Sequence, residues 1–207
     1  MAASSRALAV ALAALAVLSA ARAPGAVDTP VSREADAFHA KLLRIAARGE
    51  RRPVARAALA PQTTTITERE LNAYLRYRAR DQIPVGITDP YIWIVGDGRL
   101  AGRATIDLDA VRRQKMRGWL DPAGYLTGRL PLQVSGRLHT RDGVGRFRLE
   151  SAEIGGVSVP RPLLQELLAY YSRTPDDPDG VSLDEPFALP AGIREIRVEK
   201  GRATIVQ

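Results

Sequence analysis

Apolar residues recur along this chain first at helical and then at strand spacing, and the change of period outlines the fold. Phe38, Leu42, Ile45 and Ala46 share one face of a helix that Ser32 caps and Gly49 stops. A basic, Pro-containing connection over 50–63 follows, with a short strand expected at Val54 to Leu59. Thr67-Glu68-Arg69-Glu70 has the pattern of a capping box, in which the Thr67 hydroxyl accepts from the Glu70 amide and the Glu70 carboxylate reaches back. Leu71, Tyr74, Leu75 and Arg78 run along one face of the helix that this box opens, and it ends before Pro84.

From Tyr91 the period is two. Leu100, Gly102, Ala104, Ile106 and Leu108 alternate with Arg99, Ala101, Arg103, Thr105 and Asp107, the pattern of a strand with one buried and one mostly wet face. Gly96-Asp97-Gly98 turns it back onto Tyr91 to Val95 as a hairpin. Leu130, Leu132, Val134, Gly136 and Leu138 alternate again, Asp142-Gly143 turns, and Arg146 to Ala152 returns with Phe147 and Leu149 inward. Pro160 and Pro162 open a third helix with the stripe Leu163, Leu164, Leu167, Leu168 and Tyr171. Val181 to Leu189, Ile193 to Val198 and Arg202 to Val206 read as closing strands, the last two joined at Lys200-Gly201. The expected fold class is α+β: a long, curved antiparallel β-meander wrapped against two or three amphipathic helices.

The first residues read as an address. One positive charge in Met1 to Arg6, an apolar run from Ala7 to Ala21 and small residues near Ala20 to Ala26 form a secretory signal peptide over residues 1–26, with the cut between Ala21 and Ala26. The apolar run is shorter than the ~20 residues a spanning helix needs, so an uncleaved anchor is the lesser alternative. The expected division is therefore 1–26 signal peptide, 27–60 N-terminal helix and connection, and 61–207 a single α+β domain. The expected location is the periplasm or cell envelope of a bacterium.

Composition narrows the chemistry. The 207 residues include no Cys and two His, so disulfide frameworks, thiolate nucleophiles and thiolate zinc sites are excluded. All but Lys41, Lys115 and Lys200 of the 30 basic residues are Arg. Residues 99–148 hold 11 basic against 4 acidic side chains, and residues 149–207 hold 6 against 10, so the chain is polarised rather than uniformly basic.

Two stretches carry a family resemblance. Ile66-Thr67-Glu68-Arg69-Glu70-Leu71-Asn72-Ala73-Tyr74-Leu75 resembles the helix opening of small exported bacterial proteins of the tubular lipid-binding (TULIP-like) superfamily. Ile154-Gly155-Gly156-Val157-Ser158-Val159-Pro160, with the Leu163 to Tyr171 helix after it, resembles their closing strand-to-helix segment. The resemblance covers Thr65 to Gln207. It implies a strongly curved sheet around a long helix, with an elongated apolar groove that takes acyl chains without a cofactor or covalent chemistry.

On that implication the groove is lined by Ile106, Leu108, Leu132, Val134 and Phe147 on the sheet, Leu163, Leu164, Leu167, Leu168 and Tyr171 on the third helix, and Leu71, Tyr74 and Leu75 on the second. Core packing is the usual role of such stripes. Arg112, Arg113, Lys115 and Arg117 beside Met116, Trp119 and Leu120 suit contact with lipid headgroups on an anionic membrane surface, or form a solvated turn with one apolar side. Export argues against nucleic acid as their partner.

Other candidates are weaker. Asp176, Asp177 and Asp179 before Gly180 lack calcium-loop spacing and Pro178 interrupts them, and His39 and His139 each lack a second ligand at metal spacing. There is no Gly-x-Ser-x-Gly elbow, no Ser-x-x-Lys and no glycine-rich phosphate loop. The expectation is a non-enzymatic envelope protein that needs no metal or cofactor and holds a lipid or other amphiphile. The alternative is an envelope scaffold or assembly protein with a packed core and a protein partner.

Overall fold

The computed structural model describes residues 30–50, 60–110, 128–172, 179, 182, 183 and 185–207, and for residues 167, 168 and 170–172 the backbone alone. The expected leader, the strand at 54–59, the basic segment with Arg112, Arg113, Lys115, Arg117 and Trp119, and the acidic residues Asp176, Asp177 and Asp184 lie outside the described residues. So do the side chains of Leu167, Leu168 and Tyr171.

Helix α1 (Pro30–Gly49) buries Ala35, Phe38 and Ile45, one face at helical spacing. Strand β1 (Thr63–Thr67) runs directly into α2 (Glu68–Tyr77). The Glu70 amide donates to Thr67 Oγ1 at 3.2 Å and the Thr67 amide to the Glu70 carboxylate at 2.9 Å, completing the expected capping box. Tyr74 and Leu75 point from α2 into the interior, where the Tyr74 ring lies 4.8 Å from that of Phe38.

After a 3₁₀ turn at Arg80–Gln82 come β2 (Ile87–Gly96), β3 (Arg99–Asp107), β4 (Arg129–Arg141), β5 (Val144–Ile154) and β6 (Val157–Ser158), then α3 (Arg161–Ser172), β7 (Phe187–Ala188), β8 (Glu195–Glu199) and β9 (Arg202–Val206). The architecture is α+β, with a curved antiparallel sheet and helices against it. The strands divide between two sheets. Six form the large sheet, in the order β2-β3-β4-β5-β6 with β7 also on β5, and three form a small sheet, β1-β9-β8.

The sequence pattern suggested one continuous meander, and here the structure differs. β8 and β9 leave the meander for the small sheet, where β8 pairs with β9 and β9 pairs with β1, a strand the pattern did not mark, with Thr63 opposite Val206 and Thr67 opposite Arg202. Four threonines and one isoleucine show little apolar alternation, and the pairing partner lies at the far end of the chain. Of Val181 to Leu189, only Phe187–Ala188 is a strand among the described residues.

The core lies between α1, α2, the small sheet and one end of the large sheet. Phe38, Ile45, Tyr74, Ile94, Leu138, Ile193, Ile196 and Ile205 belong to one buried cluster. Helix α1 is thus integral to the fold. An ion pair reinforces it: Lys41 Nζ donates to both Glu70 carboxylate oxygens at 2.7 Å and to the Thr65 carbonyl at 2.7 Å.

Burial pushes the Glu70 carboxyl up, but the hydrogen bond and charge of Lys41 together with the Thr67 amide and hydroxyl outweigh it, and the net shift is downward. A carboxyl depressed in the folded state contributes stability above its unfolded pKa of about 4.3, and that contribution is lost as pH falls through the folded value. Glu70→Gln is expected to cost about 1–3 kcal/mol at pH 7 by urea unfolding, and the gap to the parent is expected to close toward pH 3. A gap that does not change with pH would contradict the pairing.

Candidate functional site

The inner face of the large sheet is apolar along its whole length but covered unevenly. Near the hairpin turns it meets the core, and Ile94 and Leu138 are 3% and 5% exposed. Toward the β3–β4 connection the rows Gly102–Val134–Ala152, Ala104–Leu132–Ile154 and Ile106–Leu130 continue the same face. There Leu108 and Ala152 are buried, while Ala104, Ile106, Leu130, Leu132, Val134 and Ile154 remain half-buried. Since β6 pairs with the last residues of β5, the segment through Pro160 starts α3 at this same end.

The candidate groove residues therefore separate. Tyr74 and Leu75 are 2% and 5% exposed in the core, and Leu71 and Phe147 pack against that cluster. Ile106, Leu132 and Val134 lie together on the half-buried end, with Leu108 beside them. Leu163 on α3 is 42% exposed and Leu164 half-buried. The α2 residues and the distal sheet residues thus occupy opposite ends of the inner face.

Two positions in α2 carry contacts that the pattern reading did not foresee. Asn72 donates its side-chain amide to the Ile92 carbonyl at 2.7 Å and accepts the Ile92 amide at 2.8 Å. Glu68 accepts the Ile94 amide at 2.7 Å and the Tyr91 hydroxyl at 3.1 Å. These groups lie on β2, the outer strand of the large sheet, so helix side chains take the place of a neighbouring strand. Burial first, and then the Glu68 carboxylate, hold the Tyr91 phenol above its ordinary pKa against the opposing charge of Arg103. The signal was present as Glu68 and Asn72 four residues apart on one helical face, beside a hairpin with an unpaired edge.

The carboxylates at the β3–β4 connection have structural employment. Asp107 accepts from the Ala110 amide and pairs with Arg129, and Asp109 accepts from the Gly128 amide, so the two carboxylates hold the ends of the β3–β4 connection. His39 stacks on Tyr74 at 6.1 Å, and His139 is exposed opposite Arg146. Among the described residues, no three His, Asp or Glu side chains converge as a metal site, and no helix is long and apolar enough to cross a membrane.

Glycines on the inner face report where there is room. A Cβ built on Gly136 would lie 2.4 Å from the Phe147 ring and 2.7 Å from the Arg148 carbonyl, whereas one on Gly102 would meet Val134 at an ordinary 3.4 Å. Gly136→Ala is expected to lose about 1–3 kcal/mol through overpacking. Gly102→Ala should stay within about 0.5 kcal/mol of the parent. Equal losses in chemical denaturation would contradict a sheet face that is closed at one end and looser at the other.

Set against protein-family models, curated proteins and solved structures, the chain matches none of them.

Proposed function

We propose that this is an exported, envelope-associated, TULIP-like protein that holds a lipid or other amphiphile non-covalently between the distal inner face of the large sheet and α3. The reading is supported chiefly by the half-buried apolar surface of Ala104, Ile106, Leu130, Leu132 and Val134, which continues an otherwise closed core face. The groove is accordingly shorter than the full stripe of apolar residues. Tyr74, Leu75 and Phe147 form its closed end rather than its wall.

The binding energy is desolvation. Each buried methylene contributes about 0.8 kcal/mol, so ten carbons of a chain give about 8 kcal/mol before the cost of association. Such a site selects for apolar length and needs no cofactor or metal. An anionic membrane surface is the proposed source or destination of the lipid, with headgroup contacts from Arg112, Arg113, Lys115, Arg117 and Trp119.

Native mass spectrometry of the purified protein is expected to show co-purifying lipid. In titrations with a fluorescent fatty acyl probe, Leu132→Arg and Val134→Arg should each weaken binding about tenfold or more while circular dichroism stays unchanged. Absence of lipid together with no probe binding by the parent would contradict the proposal. It would favour the alternative, in which the same apolar end docks a protein in an envelope assembly.

A further inference from the structure

The opposite, outer face of the large sheet is organised differently. Three cross-strand rows lie side by side on it. The middle row, Trp93–Ala101–Ser135–Ser151, is small after its first residue. On one side stands Arg99–Arg137–Arg148, and on the other Tyr91–Arg103–Gln133–Glu153. Long side chains therefore flank a floor of one methyl and two hydroxyls, Ser135 and Ser151, whose oxygens are 2.7 Å apart. With strands about 4.8 Å apart, the floor runs about 14 Å from Trp93 across to β5.

Charge and stacking set up this trough for a ligand. The Arg103 guanidinium lies 5.7 Å from the Tyr91 ring centre and 5.6 Å from that of Trp93, and the two rings are 4.8 Å apart. The guanidinium thus packs against both rings, and among the described residues Arg103 has no carboxylate partner for its N–H edge. Arg99 and Arg137 share the single carboxylate of Glu150, at 3.2 and 3.6 Å. Arg146 and Arg148 are exposed and have no ion pair among the described residues. Positive charge is therefore in excess, though Glu150 and Glu153 are interspersed with it.

We propose that this trough binds an acidic glycan, a polyhydroxylated chain carrying carboxylates, lying across the strands from Trp93 to Ser151. A planar carboxylate fits the Arg103 fork in bidentate fashion. Ring hydroxyls find acceptors in Glu153 and Glu150 and two-way partners in Gln133, Ser135 and Ser151. The exposed edge of Trp93, itself 38% exposed, gives sugar C–H groups an aromatic surface. Single-stranded nucleic acid fits less well: it needs successive open ring faces, whereas the one aromatic pair here is capped by Arg103. A lipid bilayer is planar and does not need a trough. The proposal is independent of lipid binding, which uses the other face of the sheet.

Calorimetry of the purified full chain with a galacturonate hexamer, against neutral maltohexaose, tests it. The acidic hexamer is expected to bind about tenfold or more tighter than the neutral one, and to weaken as salt rises. Arg103→Gln should lose about tenfold, Ser135→Tyr should block the trough, and Arg44→Gln on α1 should change nothing. Circular dichroism verifies the fold of each variant, and Arg103→Gln decides if Ser135→Tyr does not fold. No binding of the acidic hexamer, equal binding of the neutral one, or indifference to Arg103→Gln would overturn the proposal. Tighter, Arg103-dependent binding of oligothymidylate or phosphatidylglycerol vesicles would overturn it too, in favour of nucleic acid or membrane.

Discussion

A strand at the edge of a sheet carries backbone amides and carbonyls that need partners, and on β2 those partners are side chains of α2. Asn72 presents an amide to the Ile92 backbone just as a neighbouring peptide would, donating to one group and accepting from the other. Glu68 takes the Ile94 amide, and the Gly201 amide donates to the Ile94 carbonyl at 2.8 Å. The edge is closed with charge-assisted and amide-like bonds of the kind whose loss leaves a buried group unpaired. A parallel device joins the sheets elsewhere: the Thr140 hydroxyl both accepts the Ile196 amide at 2.7 Å and donates to its carbonyl at 3.0 Å. Because these bonds fix α2 and β8 against the large sheet, Phe38, Tyr74, Ile94 and Ile196 can meet in one core.

What was legible in the sequence is what is local. The capping box at Thr67 to Glu70, the hairpins at Gly96-Asp97-Gly98 and Asp142-Gly143, and the apolar stripe of α1 each depend on residues a few positions apart. Strand β1 was illegible because its partner Val206 is at the other end of the chain, and Thr63 to Thr67 has no apolar rhythm of its own. The same reasoning applies to the site. Alternation identified Ile106, Val134 and Leu138 as inward-facing, but periodicity does not say which end of a face is covered. Leu138 and Leu132 are thus alike in sequence pattern and different in surroundings, 5% exposed in the core and half-buried at the open end. Lys41 is a further instance: one of three lysines in an arginine-rich chain, it occupies a place where a compact ammonium reaches a carboxylate and a carbonyl together.

The division of the large sheet also gives a location to the local charge excess of residues 99–148. Part of it falls on residues beyond those described, but Arg99, Arg103, Arg137, Arg146 and Arg148 all stand on the outer face, against few acids. One sheet thus presents two surfaces of different chemistry, an apolar inner end and a basic outer trough, separated by a single layer of backbone. Alternation with period two makes this economical, since neighbouring residues of each strand serve opposite faces. The closed core at one end holds the sheet in shape.

The account rests on the closure of β2 by α2, and native-state hydrogen exchange resolved by residue tests it most directly. If Asn72 and Glu68 hold the edge, the amides of Ile92 and Ile94 exchange only through global unfolding, as slowly as amides paired inside the large sheet. If these two amides exchange at the rate of an open, solvated strand edge while the interior strands stay protected, then the helix does not close the edge and the account is contradicted.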